Sequence, residues 1–215
     1  MARSKSSSAW LKRHVNDPYV HRARAQGYRS RAAFKLIEIA KRDRLARPGD
    51  DVVDLGAAPG GWAQVLAERV GQSGRVIAVD LLEIAPIPGV TIVRGDFREE
   101  TVLRRLEEVL GSQKLDLVVS DMAPNLSGIE SSDSARIAHL VELAVEFSQN
   151  HLTPRGALVC KVFHGSGYSE LVKLFKERFK TVKTMKPKAS RDKSAETFLV
   201  GIGLKMTKGS ADIVT

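Results

Sequence analysis

The chain has 215 residues, of which 34 are Lys or Arg and 25 are Asp or Glu, so its formal net charge is +9. This length suits one α/β domain with a full core and leaves little room for a second. No apolar run approaches the roughly 20 residues needed to cross a bilayer, which argues against a transmembrane protein. The single cysteine, Cys160, excludes a disulfide framework and a cysteine-rich zinc site, and it is typical of a reducing compartment.

The positive charge is concentrated at the N-terminal end. Residues 1–50 hold 13 basic and 4 acidic side chains, whereas residues 51–215 hold 21 of each. A basic arm on a neutral body predicts an anionic partner, either nucleic acid or an acidic membrane surface. The first 14 residues lack the apolar stretch of a secretory signal, so we expect a cytoplasmic protein. Their Arg- and Ser-rich composition leaves a mitochondrial transit peptide as the alternative.

The predicted elements begin with one amphipathic helix and continue as alternating strands and helices. Helical spacing of apolar residues predicts a helix over Ser30–Leu45, with Ser30 as its N-cap. The later runs rich in Val and Ile are nearly continuous in apolar character, which is typical of strands buried on both faces of a parallel sheet. The predicted strands are Asp51–Leu55, Arg75–Asp80, Val90–Val93, Leu115–Ser120 and Ala157–Phe163, and the predicted helices between and after them are Trp62–Val70, Glu99–Leu110, Ser134–Asn150 and Tyr168–Phe179.

The end of the chain departs from this alternation. Two strand-like runs, Lys180–Lys186 and Thr197–Leu204, are separated only by the polar loop Pro187–Glu196, so we expect an antiparallel pair at one edge. The predicted fold class is therefore α/β, with a mostly parallel, Rossmann-like sheet of seven strands and helices on both faces. This arrangement is typical of class I methyltransferases that use S-adenosylmethionine, although a fold alone does not fix a function.

A glycine-rich loop follows the first predicted strand. The sequence D-L-G-A-A-P-G-G-W (54–62) leads directly into a helix. A glycine loop at the carboxyl end of a strand is typical of a cofactor site, because the backbone comes close to the ligand and the helix start offers free N–H groups. The glycines follow G-x-x-x-G-G rather than the G-x-G-x-x-G of dinucleotide sites. This spacing disfavours a nicotinamide oxidoreductase and favours a ligand without phosphates.

Acidic residues recur where the later strands end. Asp80 is the last residue of its predicted strand, Asp96 and Asp121 follow theirs, and Asp54 begins the motif that contains the glycine loop. Carboxylates at one sheet edge repel a pyrophosphate but suit a cationic ligand with a ribose diol and an amine, and S-adenosylmethionine has all three features. Any single Asp is equally typical of a cap for the following helix or turn. The whole set, after a glycine loop, favours a methyltransferase cofactor site.

The reaction type depends on a lysine in the fifth predicted strand. Methyltransferases that act on base amino groups often carry Asp or Asn before Pro-Pro and an aromatic, and D-M-A-P-N (121–125) departs from that pattern. Lys161 is costly to bury unless it is paired or neutral, and Asp121 is expected on the neighbouring strand. A sugar hydroxyl needs a base or an orienting cation, which such a lysine supplies. A lysine that snorkels to solvent is the alternative.

These motifs resemble those of ribose 2′-O-methyltransferases of the FtsJ/RrmJ type, the RlmE family. The order Lys35, Asp121, Lys161, Glu196 matches the K-D-K-E tetrad of that family. The start, S-S-A-W-L-K-R-H-V-N-D-P-Y-V (7–20), is similar to the bacterial heat-shock branch, which methylates a uridine in the A loop of 23S ribosomal RNA. The resemblance covers roughly residues 7–206, and Ala33 departs from it where the branch has an aromatic residue. The supporting motifs are R-S-R-A-A-F-K-L-I-E-I (29–39), the glycine loop, S-D-M-A-P-N-L-S-G (120–128), C-K-V-F (160–163) and K-P-K-A-S-R-D-K-S-A-E-T-F (186–198).

The resemblance implies the catalytic roles. Lys161 would be the proton acceptor for the 2′-hydroxyl, and Asp121 would position Lys161 close to the methyl donor. Lys35 and Glu196 would orient the ribose and the lysine. Without the resemblance, Lys35 would be taken as a solvent-facing helix lysine and Glu196 as a charge in a hairpin loop. The reaction would be an in-line displacement at the sulfonium methyl group, with no metal required.

The resemblance also implies the cofactor site. Asp80 would lie near the ribose hydroxyls of S-adenosylmethionine and Asp96 near its adenine amine. The residues expected to bind the cofactor are Gly60, Trp62, Asp80, Asp96 and Asp121. We expect three parts of the chain: a basic arm and helix over 1–50 that belong to the RNA-binding face, a methyltransferase domain over 51–206 and a frayed tail over 207–215.

The expected partner is 23S ribosomal RNA within the large ribosomal subunit, with no membrane contact and a monomeric protein. Two basic segments, Lys12–Arg47 and Lys173–Lys193, flank the site in sequence and would contact phosphates. Charge reversal at Arg29 with Arg31 is expected to weaken RNA binding. Two alternatives remain at this stage: the same chemistry on transfer RNA or an mRNA cap, and a non-catalytic RNA-binding factor of ribosome assembly.

Overall fold

The computed structural model describes residues 17–124, 128, 130–165, 167–191 and 194–205. The predicted tail over 207–215 and most of the segment at 7–20 lie outside these residues. So do parts of two motifs, at 125–127 and at 192–193.

A seven-stranded sheet forms the centre of the fold. Its strands are β1 (Asp51–Leu55), β2 (Arg75–Asp80), β3 (Val90–Arg94), β4 (Leu115–Ser120), β5 (Leu152–Phe163), β6 (Phe179–Met185) and β7 (Glu196–Leu204). The order is β3-β2-β1-β4-β5-β7-β6, and the strands from β3 to β5 pair in parallel. Strand β7 lies antiparallel between β5 and β6. The predicted Rossmann-like sheet with an antiparallel pair at one edge is confirmed.

Helices cover both faces of the sheet. They are α1 (Pro18–Ala25), α2 (Ala33–Asp43), α3 (Gly61–Val70), α4 (Glu100–Leu110), α5 (Glu130–His151) and α6 (Tyr168–Arg178). One apolar core joins α2 and α3 to the sheet, and a second joins α4, α5 and α6 to its other face. Among the described residues, no helix is long and apolar enough to cross a membrane.

The region before β1 differs from the prediction. Helix α1 was not predicted, and the Asp17 side chain caps it by accepting a hydrogen bond from the Tyr19 N–H at 3.0 Å. The prediction of Ser30 as the N-cap of the next helix was wrong, because α2 begins at Ala33 and its start has no side-chain cap. Ser30 instead packs against Gly61, where a Cβ atom would lie 2.3 Å from the Ser30 hydroxyl oxygen. The start of α2 therefore rests directly on the start of α3.

Candidate active site

The carboxyl ends of β4 and β5 bring Asp121 and Lys161 together. Ser120 pairs with Cys160 in the sheet, so the residues that follow them, Asp121 and Lys161, lie side by side. Lys161 Nζ is 2.9 Å from Asp121 Oδ1 and donates a hydrogen bond to the Asp121 backbone carbonyl at 2.6 Å. Lys161 is only 8% exposed, so it does not snorkel to solvent. Asp121 Oδ1 is buried and has Lys161 as its partner through the ion pair rather than through a well-aligned hydrogen bond.

A second ion pair lies on the same side of β5. Lys35 of α2 places its Nζ 2.7 Å from Glu196 Oε1 and donates a hydrogen bond to Oε2 at 2.8 Å. Glu196 is the first residue of β7 and pairs with Phe163, two residues beyond Lys161 on β5. Both side chains are largely buried, at 13% and 11% exposed. Lys35 is therefore not a solvent-facing helix lysine, and Glu196 belongs to a strand rather than to a loop.

The environment of Glu196 keeps it ionised. Burial by itself raises the pKa of Glu196, but several groups act in the opposite direction. These are the charge and hydrogen bond of Lys35, the Ser190 hydroxyl, which donates to Glu196 Oε1 at 2.8 Å, and the charge of Lys161. The result is a pKa below the ordinary 4.5. At neutral pH the site holds a carboxylate here, flanked by two lysines.

Two residues that the sequence did not single out hold this corner in place. The Glu38 carboxylate of α2 accepts hydrogen bonds from the backbone N–H groups of Lys188 and Ala189, at 2.8 and 3.1 Å. This fixes the loop that carries Ser190, which is 5% exposed. Both residues lie inside the motifs R-S-R-A-A-F-K-L-I-E-I and K-P-K-A-S-R-D-K-S-A-E-T-F. Their position inside these motifs was the only indication in the sequence that they belong to the site. The spacing of the motifs does not show that the two segments are in contact.

A cleft of about 610 Å³ opens beside Asp121, at the carboxyl ends of β1, β2 and β4. Asp80 and Asp96 line it together with Asp121, as expected. Asp80 also stabilises the backbone, because Oδ2 accepts from the Ala58 N–H at 2.8 Å and Oδ1 from the Leu82 N–H at 2.7 Å. Leu82 and its neighbour Leu81 are exposed in the cleft, at 64% and 60%. The cleft thus offers carboxylates beside an apolar surface.

Asp96 is already engaged by a neighbour. Its two oxygens accept hydrogen bonds from the Arg98 guanidinium, with a closest ion-pair distance of 2.5 Å. The Arg98 side-chain hydrogen bond is the largest influence on the pKa of Asp96 and holds it below its ordinary value, while burial acts weakly in the other direction. Asp96 is therefore a carboxylate, and each of its oxygens accepts two hydrogen bonds from the backbone or guanidinium N–H groups of Arg98.

Asp54 lies behind the glycine loop and is fully buried. Its pKa is raised well above the ordinary value, first by burial and then by the charges of Asp121 and Asp80. The Ala63 N–H acts in the opposite direction, yet neither Asp54 oxygen accepts a well-aligned hydrogen bond from the described residues. Asp54, Asp80 and Asp121 lie close enough to raise the pKa of Asp54, and among the described residues only Asp121 of the three has a cationic partner, Lys161. The excess of carboxyl groups favours a positively charged ligand in this cleft.

Glycines at two positions let the loops close around the cleft. Gly56 has a φ of +78°, and a Cβ atom there would lie 2.8 Å from the Met122 side chain and 2.9 Å from the Met122 backbone. Gly60 has a φ of +106° and caps α3 without a side-chain hydrogen bond. The Gly60 N–H donates to the Ala57 carbonyl at 2.6 Å, and the residues of the glycine loop that line the cleft are Gly56 and Ala58.

The side chain of Trp62 does not line the cleft. It is buried, its Nε1–H donates to the Ala32 carbonyl at 2.8 Å and its ring packs 5.7 Å from that of Phe198. Gly60 and Trp62 can therefore take part in cofactor binding only through their backbone.

The two arginines expected to contact RNA are committed elsewhere. Arg29 donates to the carbonyls of Ala85, Pro86 and Pro59, at 2.6, 2.7 and 3.2 Å. Arg31 forms an ion pair with Asp17 and donates to the Ala189 carbonyl. Reversing their charges would break these contacts, so the variant would test the folded structure rather than RNA binding.

Comparison with known proteins adds to this geometry. The profile described as FtsJ-like methyltransferase matches residues 28–204. The protein named Ribosomal RNA large subunit methyltransferase E from Methylibium petroleiphilum is 60% identical over 214 residues, which cover 94% of this chain and 96% of that protein. The protein of the same name from Bordetella petrii is 57% identical over 210 residues, with 95% and 100% covered.

Solved structures show the same architecture. A Plasmodium falciparum protein described as a ribosomal RNA methyltransferase matches with a TM-score of 0.74 and 29% identity, over 82% of this chain and 98% of that one. Fibrillarin from Aeropyrum pernix, solved with natively bound S-adenosylmethionine, matches with a TM-score of 0.54 over 79% of this chain and 76% of that one. At 18% identity this second likeness shows the fold alone.

Proposed function

Because the chain belongs to the family of FtsJ-like methyltransferases, we propose that it methylates the 2′-hydroxyl of a uridine in the RNA of the large ribosomal subunit, with S-adenosylmethionine as methyl donor. One observation carries the proposal. The buried Lys161–Asp121 pair lies beside the Lys35–Glu196 pair, at the mouth of an acidic cleft. This arrangement supplies a proton acceptor and a site for a cationic donor within one pocket.

The cleft suits S-adenosylmethionine on three grounds. It holds about 610 Å³, three carboxyl groups line it, and exposed Leu81 and Leu82 offer an apolar surface to an adenine. Asp80 would accept hydrogen bonds from the ribose diol, and Asp96 would accept one from the adenine amine in place of one of its contacts with Arg98. Bound there, S-adenosylmethionine supplies a methyl group on a positively charged sulfur, which is an electrophile without any metal.

Lys161 would act as the neutral amine, after giving one proton to solvent, and would take the proton of the ribose hydroxyl. That oxygen would form its bond to the methyl carbon as the carbon–sulfur bond of the donor breaks, and the neutral thioether would leave. Asp121 would hold the amine in place through its carboxylate and its backbone carbonyl, 2.9 and 2.6 Å away. Lys35, fixed by Glu196, would donate to the ribose oxygens. Alignment in a water-poor pocket, rather than covalent chemistry by the protein, would supply most of the rate.

The test is methyl transfer from tritiated S-adenosylmethionine to large ribosomal subunits that lack the modification. We expect label in 23S RNA, recovered as an alkali-resistant 2′-O-methyl dinucleotide. Lys161→Ala is expected to lower the rate about 10²- to 10⁴-fold, as for loss of a general base, with unchanged cofactor affinity. Lys114→Ala, a lysine whose Nζ lies 2.6 Å from the Asn150 carbonyl on the far side of the sheet, is the control and keeps the wild-type rate.

Other outcomes would change the proposal. Label on transfer RNA or on capped mRNA, but not on subunits, would move the substrate while keeping the chemistry. Cofactor binding without methyl transfer to any RNA would leave a non-catalytic assembly factor.

A further inference from the structure

A second cavity lies beyond the end of β5, apart from the cofactor cleft. It holds about 100 Å³ between the first turns of α5, the loop after β5 and the start of α6. The two spaces share no described lining residue, because Arg136 and His139 of α5 face the cleft and Ile137 and Ala138 face the cavity. The other side chains that line the cavity are Ser134, Phe163, His164 and Leu171.

This cavity begins next to the amine of the proposed site. Phe163 lies two residues after Lys161, so both side chains leave the same side of β5. Lys161 Nζ is 5.9 Å from the centre of the Phe163 ring, which forms one wall of the cavity. Phe163 is therefore both a neighbour of the amine and a wall of the cavity.

The walls are held in place by contacts outside the cavity. The His164 backbone N–H donates to the Ala195 carbonyl at 2.8 Å, and the His164 ring packs 4.4 Å from the ring of Tyr168. Leu171 belongs to the apolar core below α6. The cavity is thus a formed space rather than a gap between loosely packed loops.

Its size and lining suit a single aromatic ring. A closed cavity of roughly 150 Å³ is needed to enclose benzene, so this open one of about 100 Å³ takes only part of a six-membered ring and has no room for a fused bicyclic one. Unpaired RNA bases stack on Phe and His side chains in proteins. A base is attached to the ribose carbon next to the one that carries the 2′-hydroxyl, so the target base must lie close to Lys161.

We infer that the cavity receives the pyrimidine base of the nucleotide being methylated, with Phe163 as its stacking surface. This inference rests on the proposed 2′-O-methylation. Under this inference, the protein selects the nucleotide to be methylated by the size of its base, in addition to any phosphate contacts.

The experiment compares two alanines of α5. Ala138→Leu fills the cavity, while Ala135→Leu adds the same side chain at an exposed position of the same helix outside the lining. The substrates are large subunits assembled from RNA that carries U, C, A or G at the position mapped with the wild-type protein. Wild type is expected to favour U and C over A and G by about tenfold in kcat/KM. Ala138→Leu is expected to lose about tenfold on U and C and most of this preference, with unchanged cofactor affinity, and Ala135→Leu behaves as wild type.

Phe163→Leu is the second variant, because it keeps an apolar side chain and removes the aromatic face. The same loss on pyrimidine targets is expected. If the cavity is only a packing gap, Ala138→Leu raises the Tm and its kinetics equal those of Ala135→Leu, which overturns the inference. Equal wild-type rates on all four bases also overturn it. Absence of 2′-O-methylation by wild type is a different result, since it removes the proposed function first.

Discussion

At the scale of single residues, the site consists of positive and negative side chains whose burial would be costly if they were not paired. Lys161 and Glu196 are 8% and 9% exposed, and each has an opposite charge within 3 Å. Removing one partner from such a pair leaves the other buried without compensation, which costs far more than the pair contributes. Each member is therefore sensitive to substitution even where it does not touch the substrate.

Glu196 gives this sensitivity a pH dependence. Its pKa in the folded protein lies below the ordinary 4.5, so its carboxylate contributes stability above that pH, and the contribution is lost as the pH falls through the folded pKa. We expect Glu196→Gln to lower the free energy of unfolding by about 1–3 kcal/mol at pH 7. The difference from wild type is expected to shrink as the pH falls below 4.5. Denaturant unfolding from pH 7 downwards measures it.

The control for this titration is Glu177→Gln, which changes an exposed glutamate of α6. It is expected to show no such pH-dependent difference. A stability loss in Glu196→Gln that stays constant down to the acid limit of folding would contradict the assignment.

At the scale of elements, helix α2 connects the two halves of the site. It carries Lys35, which reaches β7, and Glu38, which holds the backbone of the loop before β7. Positions 35 and 38 are three residues apart and lie on neighbouring parts of one helix face. Because one helix holds both the loop and the strand, the position of Glu196 depends on the docking of α2.

Glu38→Ala tests this positioning role. The N–H groups of Lys188 and Ala189 lose their acceptor, so we expect the loop to shift and kcat to fall about tenfold, the scale of one lost interaction to a charged group. KM for S-adenosylmethionine is expected to stay unchanged, because the cleft lies on the other side of Asp121. Glu38→Gln keeps one acceptor and is expected to recover part of kcat. Glu142→Ala, an exposed glutamate of α5, serves as control, and an equal fall in both alanine variants would rule the role out.

At the scale of the whole molecule, the excess of positive charge lies in the first 50 residues of a chain whose remainder is neutral. Arg29 and Arg31 make internal contacts, so substituting them would change the fold together with any RNA contact. Arg24 lies on α1, which packs on α2 through Ala23 and Phe34. Lys188 lies on the loop that docks on α2, and both Arg24 and Lys188 are exposed. We propose these two as phosphate contacts.

Salt dependence separates phosphate contacts from other effects. Each lost contact is expected to reduce the slope of log K against log salt by roughly 0.7–0.9. Arg24→Ala and Lys188→Ala are each expected to weaken binding of large-subunit RNA and to lower the slope by that amount, with no change in cofactor affinity. Arg104→Ala, at an exposed position on α4, is the matched control. Slopes equal to wild type in both test variants would exclude these residues from the RNA face.

The sequence by itself determined the sheet and the position of its functional edge. The predicted strands Asp51–Leu55, Arg75–Asp80 and Leu115–Ser120 match the structure residue for residue, because continuous apolar runs have few other places in an α/β protein. The same pattern predicted that the glycine loop and the acidic residues lie together, since parallel strands end at a common edge of the sheet. The start of α2 at Ala33 and the whole of α1 were not predicted. The ends of these helices depend on which segments pack together.

Only the tertiary structure decided which polar residues meet. Lys35 and Glu196 are 161 positions apart, and their local patterns are those of ordinary surface charges. Packing between distant segments also buries Trp62 and gives Arg29 its internal hydrogen bonds. It likewise places the Ser190 hydroxyl against Glu196. The physical reason is that periodicity and turn chemistry act over a few residues. The environment of a charge, by contrast, is set by packing between distant segments, which no local pattern contains.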